Sequence, residues 1–142
     1  MIWKQTVNLE NINAFSANTM VEHLGIEFIE TGEDYLVAKM PVDSRTVQPF
    51  RLLHGGASVA LAETIGSTAS VLCIENTEKQ APVGVEINAN HLRPVTKGFV
   101  YATCKPVKVG RTLHIWAIEI KNEDDKLVCV SRLTIAIVER KH

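Results

Sequence analysis

One carboxylate stands alone in the most apolar stretch of the chain. Glu63 is the only charged residue between Leu52 and Ile74, and Ala57, Val59, Ala60, Leu61, Ala62 and Ile65 surround it. Isolated carboxylates are almost never fully buried without a partner. A purely structural reading has Glu63 reaching solvent through a gap in the packing, or pairing with a Lys or Arg from a strand. With no other charge nearby, a solvent-facing stripe is hard to assemble, so the functional reading is favoured. Glu63 is then a base or a nucleophile whose pKa is tuned by its surroundings. Ser67 lies four residues on and shares a helix face with Glu63. Its hydroxyl can position the carboxylate or a water. Thr64, Thr68 and Ser70 are also small and polar, so close packing explains Ser67 as well.

His54-Gly55-Gly56 precedes this stretch. At a helix N-terminus, free backbone N–H groups and the helix dipole favour negative charge. Paired glycines let a ligand approach the backbone, which is how an oxyanion site for a carbonyl is built. A Gly-rich turn with an incidental His is the plainer reading. Spacing adds an inference. Gly55 and Glu63 are eight residues apart, roughly 12 Å along a helix, whereas attack on a carbonyl needs reacting atoms within about 3–3.5 Å. One helix therefore does not serve one carbonyl with both groups. Two antiparallel copies do, so a homodimer with shared active sites is expected. Gln48, in the segment before the helix, can donate to a carbonyl or orient water. Arg93 and Arg111 fall near strand ends and suit phosphate or pyrophosphate; ordinary surface charge is the alternative.

The elements that must position these residues follow from periodicity. Residues 8–24 read as helical, with Leu9, Ile12 and Phe15 on one face. Thr19 and Glu22 resemble a capping box that opens a short helix, ended by Gly25. Residues 26–30 and 35–40 read as strands around a turn containing Gly32, and Pro41 closes the second. An irregular loop, 42–53, leads to a helix over about 57–75, apolar on most sides and so buried on most sides. Gly66 inside it costs about 1 kcal/mol relative to Ala, which implies a close approach by another element. Pro82–Leu92, with Val83, Val85 and Ile87 on one face, then Phe99–Val107, Thr112–Ile120 and Leu127–Val138 read as four more strands. The order β-β-α-β-β-β-β gives an α+β fold, a bent antiparallel sheet around one buried helix.

The chain of 142 residues is the length of one domain, and no linker or repeat divides residues 1–142. It is 46% hydrophobic and 22% charged with a net charge of −1, enough to bury a core. No basic stripe suggests nucleic acid, and no membrane association is expected. Cys73, Cys104 and Cys129 are scattered and odd in number, which reads as buried free thiols in a reducing compartment. The N-terminus lacks the pattern of a signal peptide, so a cytoplasmic protein is expected. There is no G-x-S-x-G elbow, no Walker A or dinucleotide fingerprint, and no ligand spacing for a metal.

The stretch PVDSRTVQPFRLLHGGASVALAETIGS, then GVEINANHLRPV, then the Val109-Gly110-Arg111 turn resembles the hotdog-fold thioesterases of the 4-hydroxybenzoyl-CoA and phenylacetate-degradation type. More narrowly, it is similar to the subgroup of naphthoyl-CoA hydrolases of menaquinone biosynthesis and proofreading thioesterases of enterobactin biosynthesis. The resemblance covers essentially the whole chain. It implies that Glu63 is the family's catalytic carboxylate and that the Gly55 N–H polarises the thioester carbonyl. His54 and Gln48 match polar residues beside that carbonyl, and Ser67 matches a position that helps hold water. His91, Arg93, Gly110 and Arg111 fall where the family contacts the pantetheine and nucleotide of CoA. Relatives are dimers, usually paired into homotetramers. Arg51 departs from the pattern, standing where a small residue such as glycine is expected.

The resemblance implies hydrolysis of an acyl-CoA, aromatic by subgroup, with no cofactor beyond the CoA of the substrate. The alternatives are a thioesterase for carrier-protein thioesters, a hotdog hydratase or dehydratase using His54 and Glu63, and a non-catalytic acyl-CoA-binding module.

Overall fold

The computed structural model describes residues 1–141. Two short helices come first, α1 (Leu9–Phe15) and α2 (Met20–His23), followed by β1 (Glu27–Thr31) and β2 (Leu36–Pro41). The long helix α3 (Gly55–Leu72) precedes β3 (Gln80–His91), β4 (Phe99–Val109), β5 (Leu113–Lys121) and β6 (Leu127–Glu139). The six strands form one antiparallel sheet in the order β1-β2-β4-β5-β6-β3. α3 packs on the face made by β2 to β6. This is the α+β arrangement expected from the order of elements, and the hotdog fold that the family resemblance implies.

The core is the contact between α3 and the face of the sheet on which it packs. Leu61, Ile65 and Ala69 of the helix are fully buried, as are Leu36, Met40, Val100, Trp116, Ile120, Leu133 and Ile135 of the strands. Gly66 is needed for that contact. A Cβ there would lie 2.5 Å from Leu133 Cδ2, so the expected close approach is by β6.

Several local expectations change. The helical stretch 8–24 is two helices, because Asn18 has φ 61° and Thr19 is an extended N-cap that restarts the chain. Only half of the capping box forms: Thr19 Oγ1 accepts from the Val21 N–H, while the Thr19 N–H donates to the Ser16 carbonyl. α1 is tied to edge strand β1 by Asn13, whose amide exchanges two hydrogen bonds with the Phe28 backbone. α3 begins two residues before the expected start and ends at Leu72, with Cys73 as C-cap. β2 runs through Pro41, which still has a partner in Phe99.

α3 is less enclosed than its composition suggests. Its outer face, Val59, Ala60, Glu63, Thr64, Ser67, Thr68 and Val71, is half-buried to exposed in the single chain. The solvent-facing stripe that the run of uncharged residues argues against therefore exists, and Glu63 is on it. β3 also departs from simple alternation. A bulge between Gly84 and Glu86 shifts its register against β6. Val83 pairs with Ala136 and Ile87 with Leu133, which places these two residues on opposite faces rather than together.

Candidate active site

The segment before α3 is shaped by a tight hairpin. Val47 bridges Leu53; the Arg51 N–H donates to the Gln48 carbonyl, and the Gln48 N–H to the Leu52 carbonyl, both at 2.8 Å. Arg51 has φ 67°. A three-residue loop of this kind needs its last residue in the left-handed region, which favours glycine. That is the physical reason a glycine is expected at Arg51. The Gln48 Oε1 accepts from the Phe50 N–H, which fixes the side chain and leaves its Nε2 donor available.

His54 is the N-cap of α3, and its Nδ1 accepts the Gly56 N–H at 2.7 Å. That bond assigns the ring proton to Nε2. The Ala57 and Ser58 N–H groups both donate to the His54 carbonyl. Of the four N–H groups at this end, only that of Gly55 donates to no group among the described residues. It stands at the positive end of an 18-residue helix, where developing negative charge is favoured. A side chain at Gly55 would lie 2.9 Å from His91 Nε2. The ring of His91, at the end of β3, therefore walls the donor on one side. Gln48, Leu53, Gly55, Ser58, His91 and Arg93 line a cavity of about 400 Å³ here. Four of the residues singled out from sequence thus meet around one free backbone donor.

Glu63 is not in that cavity. Its carboxylate rests against the bulge of β3, where a Cβ on Gly84 would lie 2.6 Å from Glu63 Oε2. No side chain among the described residues hydrogen-bonds or pairs with it. Gly84 is the site residue that sequence reasoning missed. The available signal was a lone glycine inside a strand pattern, which marks a bulge or a close approach.

Ser67 shares the outer face with Glu63, as expected, but no hydrogen bond joins them. It lines a groove of about 450 Å³ between α1 and α3 with Ile12, Phe15, Thr68 and Val71. Gly110 and Arg111 are elsewhere again. Together with Lys4, Cys73 and His114 they line a cavity of about 310 Å³ beyond the C-terminal end of α3. The four residues expected at CoA therefore divide: His91 and Arg93 at the start of α3, Gly110 and Arg111 past its end. Glu63 lies between, two turns into the helix.

Cys73, Cys104 and Cys129 are buried and unpaired. Burial raises all three thiols, Cys73 to about 11, so none is a ready nucleophile. Among the described residues no group of three or more His, Cys, Asp or Glu is placed to hold a metal ion. No helix among them is long and apolar enough to cross a membrane.

A six-stranded antiparallel sheet packed on one long central helix is the hotdog architecture. The chain belongs to the thioesterase superfamily, whose family model matches residues 50–129. It is 54% identical to the 1,4-dihydroxy-2-naphthoyl-CoA hydrolase of Escherichia coli K12, over 97% of this chain and all of that one. It is 51% identical to the proofreading thioesterase EntH of Cronobacter turicensis, over 97% of this chain and 99% of that one. The crystal structure of a thioesterase from Haemophilus influenzae superposes with a TM-score of 0.94 at 55% identity, covering 98% of this chain and 96% of that one. Hydrolysis of thioesters is thus the activity of the family, which sets aside the hydratase and binding-module readings.

Proposed function

We propose that the protein hydrolyses aromatic acyl-CoA thioesters in active sites shared between two copies of the chain. The observation that carries this reading is the free Gly55 N–H. It is an oxyanion donor with no partner of its own, while the only carboxylate on α3 lies eight residues away. Roughly 12 Å of helix separates the two, so the Glu63 that works with one Gly55 comes from the partner chain.

In this mechanism the thioester carbonyl oxygen accepts from the Gly55 N–H, and Gln48 Nε2 donates beside it. His54 caps the helix and holds the donor in place. Glu63 of the partner either attacks the carbonyl carbon or takes a proton from an attacking water. In the first case an acyl-Glu63 anhydride forms and water then cleaves it. In both, CoA thiolate leaves and is protonated, and water is the only co-reactant, so no cofactor is required. Ser67, one turn beyond Glu63, is suited to hold that water. The apolar groove of Ile12, Phe15 and Val71 beside it offers room for an aromatic ring. His91 and Arg93 suit the pantetheine end, and Gly110 and Arg111 the phosphates.

The dimer reading draws on β3. It is an edge strand of the sheet, with Val83 and Val85 exposed and Glu63 at its bulge. An unpaired edge with exposed valines is a template for a second copy. We expect these dimers to pair further into a homotetramer. Three free buried cysteines suit a reducing compartment, and we place the enzyme in the cytoplasm.

A second reading is favoured by the 51% identity to a proofreading thioesterase: the same site acts on aromatic thioesters of a carrier protein. Thiol release from benzoyl-CoA, hydroxynaphthoyl-CoA, acetyl-CoA and palmitoyl-CoA tests the first reading. Turnover of the aromatic esters at least about tenfold above the others supports it. Turnover of none of them, with activity on an aroyl carrier protein, favours the second. Preference for palmitoyl-CoA contradicts the aromatic assignment.

A further inference from the structure

α1 is seven residues long and buries none of them completely. A helix this short does not hold itself together in water, so its place depends on what ties it down. Asn13 provides that tie. Its Nδ2 donates to the Phe28 carbonyl at 3.0 Å, and its Oδ1 accepts from the Phe28 N–H at 2.8 Å. Phe28 is on β1, an edge strand of the sheet, and is itself only 2% exposed. The Asn13 amide thus does for Phe28 what a neighbouring strand would do, and it fixes α1 to a residue anchored in the core. Leu9 and Ile12 pack against that core as partly buried residues.

Phe15, the last residue of α1, is 92% exposed in the single chain. It nevertheless lines the groove of about 450 Å³ between α1 and α3, with Ile12 on its own side and Val71 on the α3 side. The Thr68 hydroxyl donates to the Thr64 carbonyl at 2.9 Å, which leaves Ser67 as the hydroxyl of α3 available to a ligand in the groove. Ser67 is one turn, roughly 6 Å, beyond Glu63. The groove therefore begins just past the carboxylate and runs toward the end of α3.

We propose that Phe15 is a specificity-determining residue for the acyl group, and that Asn13 is the positioning residue that sets its distance from α3. This rests on the seating of the acyl ring in the α1–α3 groove made above. An aromatic acyl group lies along the groove with its face or edge against the Phe15 ring. A two-carbon acyl group held at Glu63 stops short of it. Discrimination between acyl groups is then a property of α1, and the chain that supplies the carboxylate also supplies the residue that reads the acyl group.

Three quantities test this: kcat/KM for hydroxynaphthoyl-CoA, kcat/KM for acetyl-CoA, and the inhibition constant of free CoA. Phe15→Ala is expected to lower kcat/KM for hydroxynaphthoyl-CoA at least about tenfold, with the other two quantities within about twofold of wild type. Phe15→Tyr keeps the ring and is expected to restore most of the loss. Asn13→Ala removes both bonds to Phe28. It is expected to lower the ratio of hydroxynaphthoyl-CoA to acetyl-CoA turnover, and to add nothing when combined with Phe15→Ala. A ratio that does not fall in Phe15→Ala overturns the proposal. A loss from Asn13→Ala that adds in full to that of Phe15→Ala removes Asn13 from the positioning role. Val71→Trp fills the groove from the α3 side and guards the seating beneath the proposal. If that variant leaves hydroxynaphthoyl-CoA turnover intact, the seating of the ring in the groove falls and the proposal with it. If Val71→Trp lowers that turnover and Phe15→Ala does not, only the role of Phe15 falls.

Discussion

At the scale of single residues, the account rests on how little surrounds Glu63. The lone carboxylate was legible in the sequence because every neighbour from Leu52 to Ile74 is uncharged. Its setting was not. The outer face of α3 mixes Val59, Ala60 and Val71 with uncharged Thr64, Ser67 and Thr68, and the inner one includes Ser58 and Ser70, so without charges to mark it periodicity points only weakly to the side that meets the sheet. The glycine that makes room for the carboxylate lies 21 residues on, on a strand whose bulge depends on pairing with β6. Gly84→Ala would put a methyl 2.6 Å from Glu63 Oε2 and push the carboxylate off its position. We expect kcat/KM to fall by about tenfold or more, with circular dichroism unchanged; full activity would mean that the placement of Glu63 against β3 is not the working one. Glu63→Gln is isosteric and removes the base or nucleophile. Its kcat is expected to fall by about 10²–10⁴ while the melting temperature moves by only a few degrees, and retention of most turnover would remove Glu63 from the mechanism.

At the scale of elements, the succession of strands along the chain and the central helix were readable from alternation and from the single long apolar run, whereas the order of strands in the sheet was not. Boundaries slipped where a cap decided them, as at His54, where an imidazole does what Ser or Asp usually does. The hairpin before α3 carries a local cost. Arg51 at φ 67° pays about 1–2 kcal/mol for a left-handed conformation, partly offset because glycine has a more flexible unfolded chain. Arg51→Gly is therefore expected to stabilise the protein by about 0.5–1 kcal/mol in urea unfolding. A loss of stability would show that the arginine side chain makes a contact outweighing its backbone strain. The seam between α3 and β5, where Ser70 Oγ lies 2.9 Å from His114 Nδ1, has a pH signature. Burial holds the pKa of His114 below its ordinary value of 6.5. As the pH drops below 6.5, the unfolded chain takes up a proton that the folded chain does not. Stability is then lost until the folded pKa is passed. The urea midpoint of the wild type should fall between about pH 8 and pH 5 by more than that of His114→Gln; parallel curves would show that His114 titrates normally.

At the scale of the whole molecule, the residues chosen from sequence fall at three places along α3 in one chain, and the spacing that separates Gly55 from Glu63 was countable in the sequence. What it left open was which side of the helix a partner meets, since that depends on where the edge of the sheet lies. β3 is one of the two edges and has Glu63 beside it, so in the proposed dimer a second copy set antiparallel along β3 would bring the two halves together. A complementation measurement tests this most directly. Gly55→Pro deletes the donor at the first position of a helix, where proline is well tolerated, and His54 at ψ 130° already has the backbone that precedes a proline. Gly55→Pro and Glu63→Gln homodimers are each expected to be inactive. Mixed by unfolding and refolding together, they form hybrid dimers in which one site holds both defects and the other none, so random mixing should restore about a quarter of wild-type activity. Recovery near that level is the result this account predicts; a mixture as inactive as its two parents would contradict an active site built from Gly55 of one chain and Glu63 of the other.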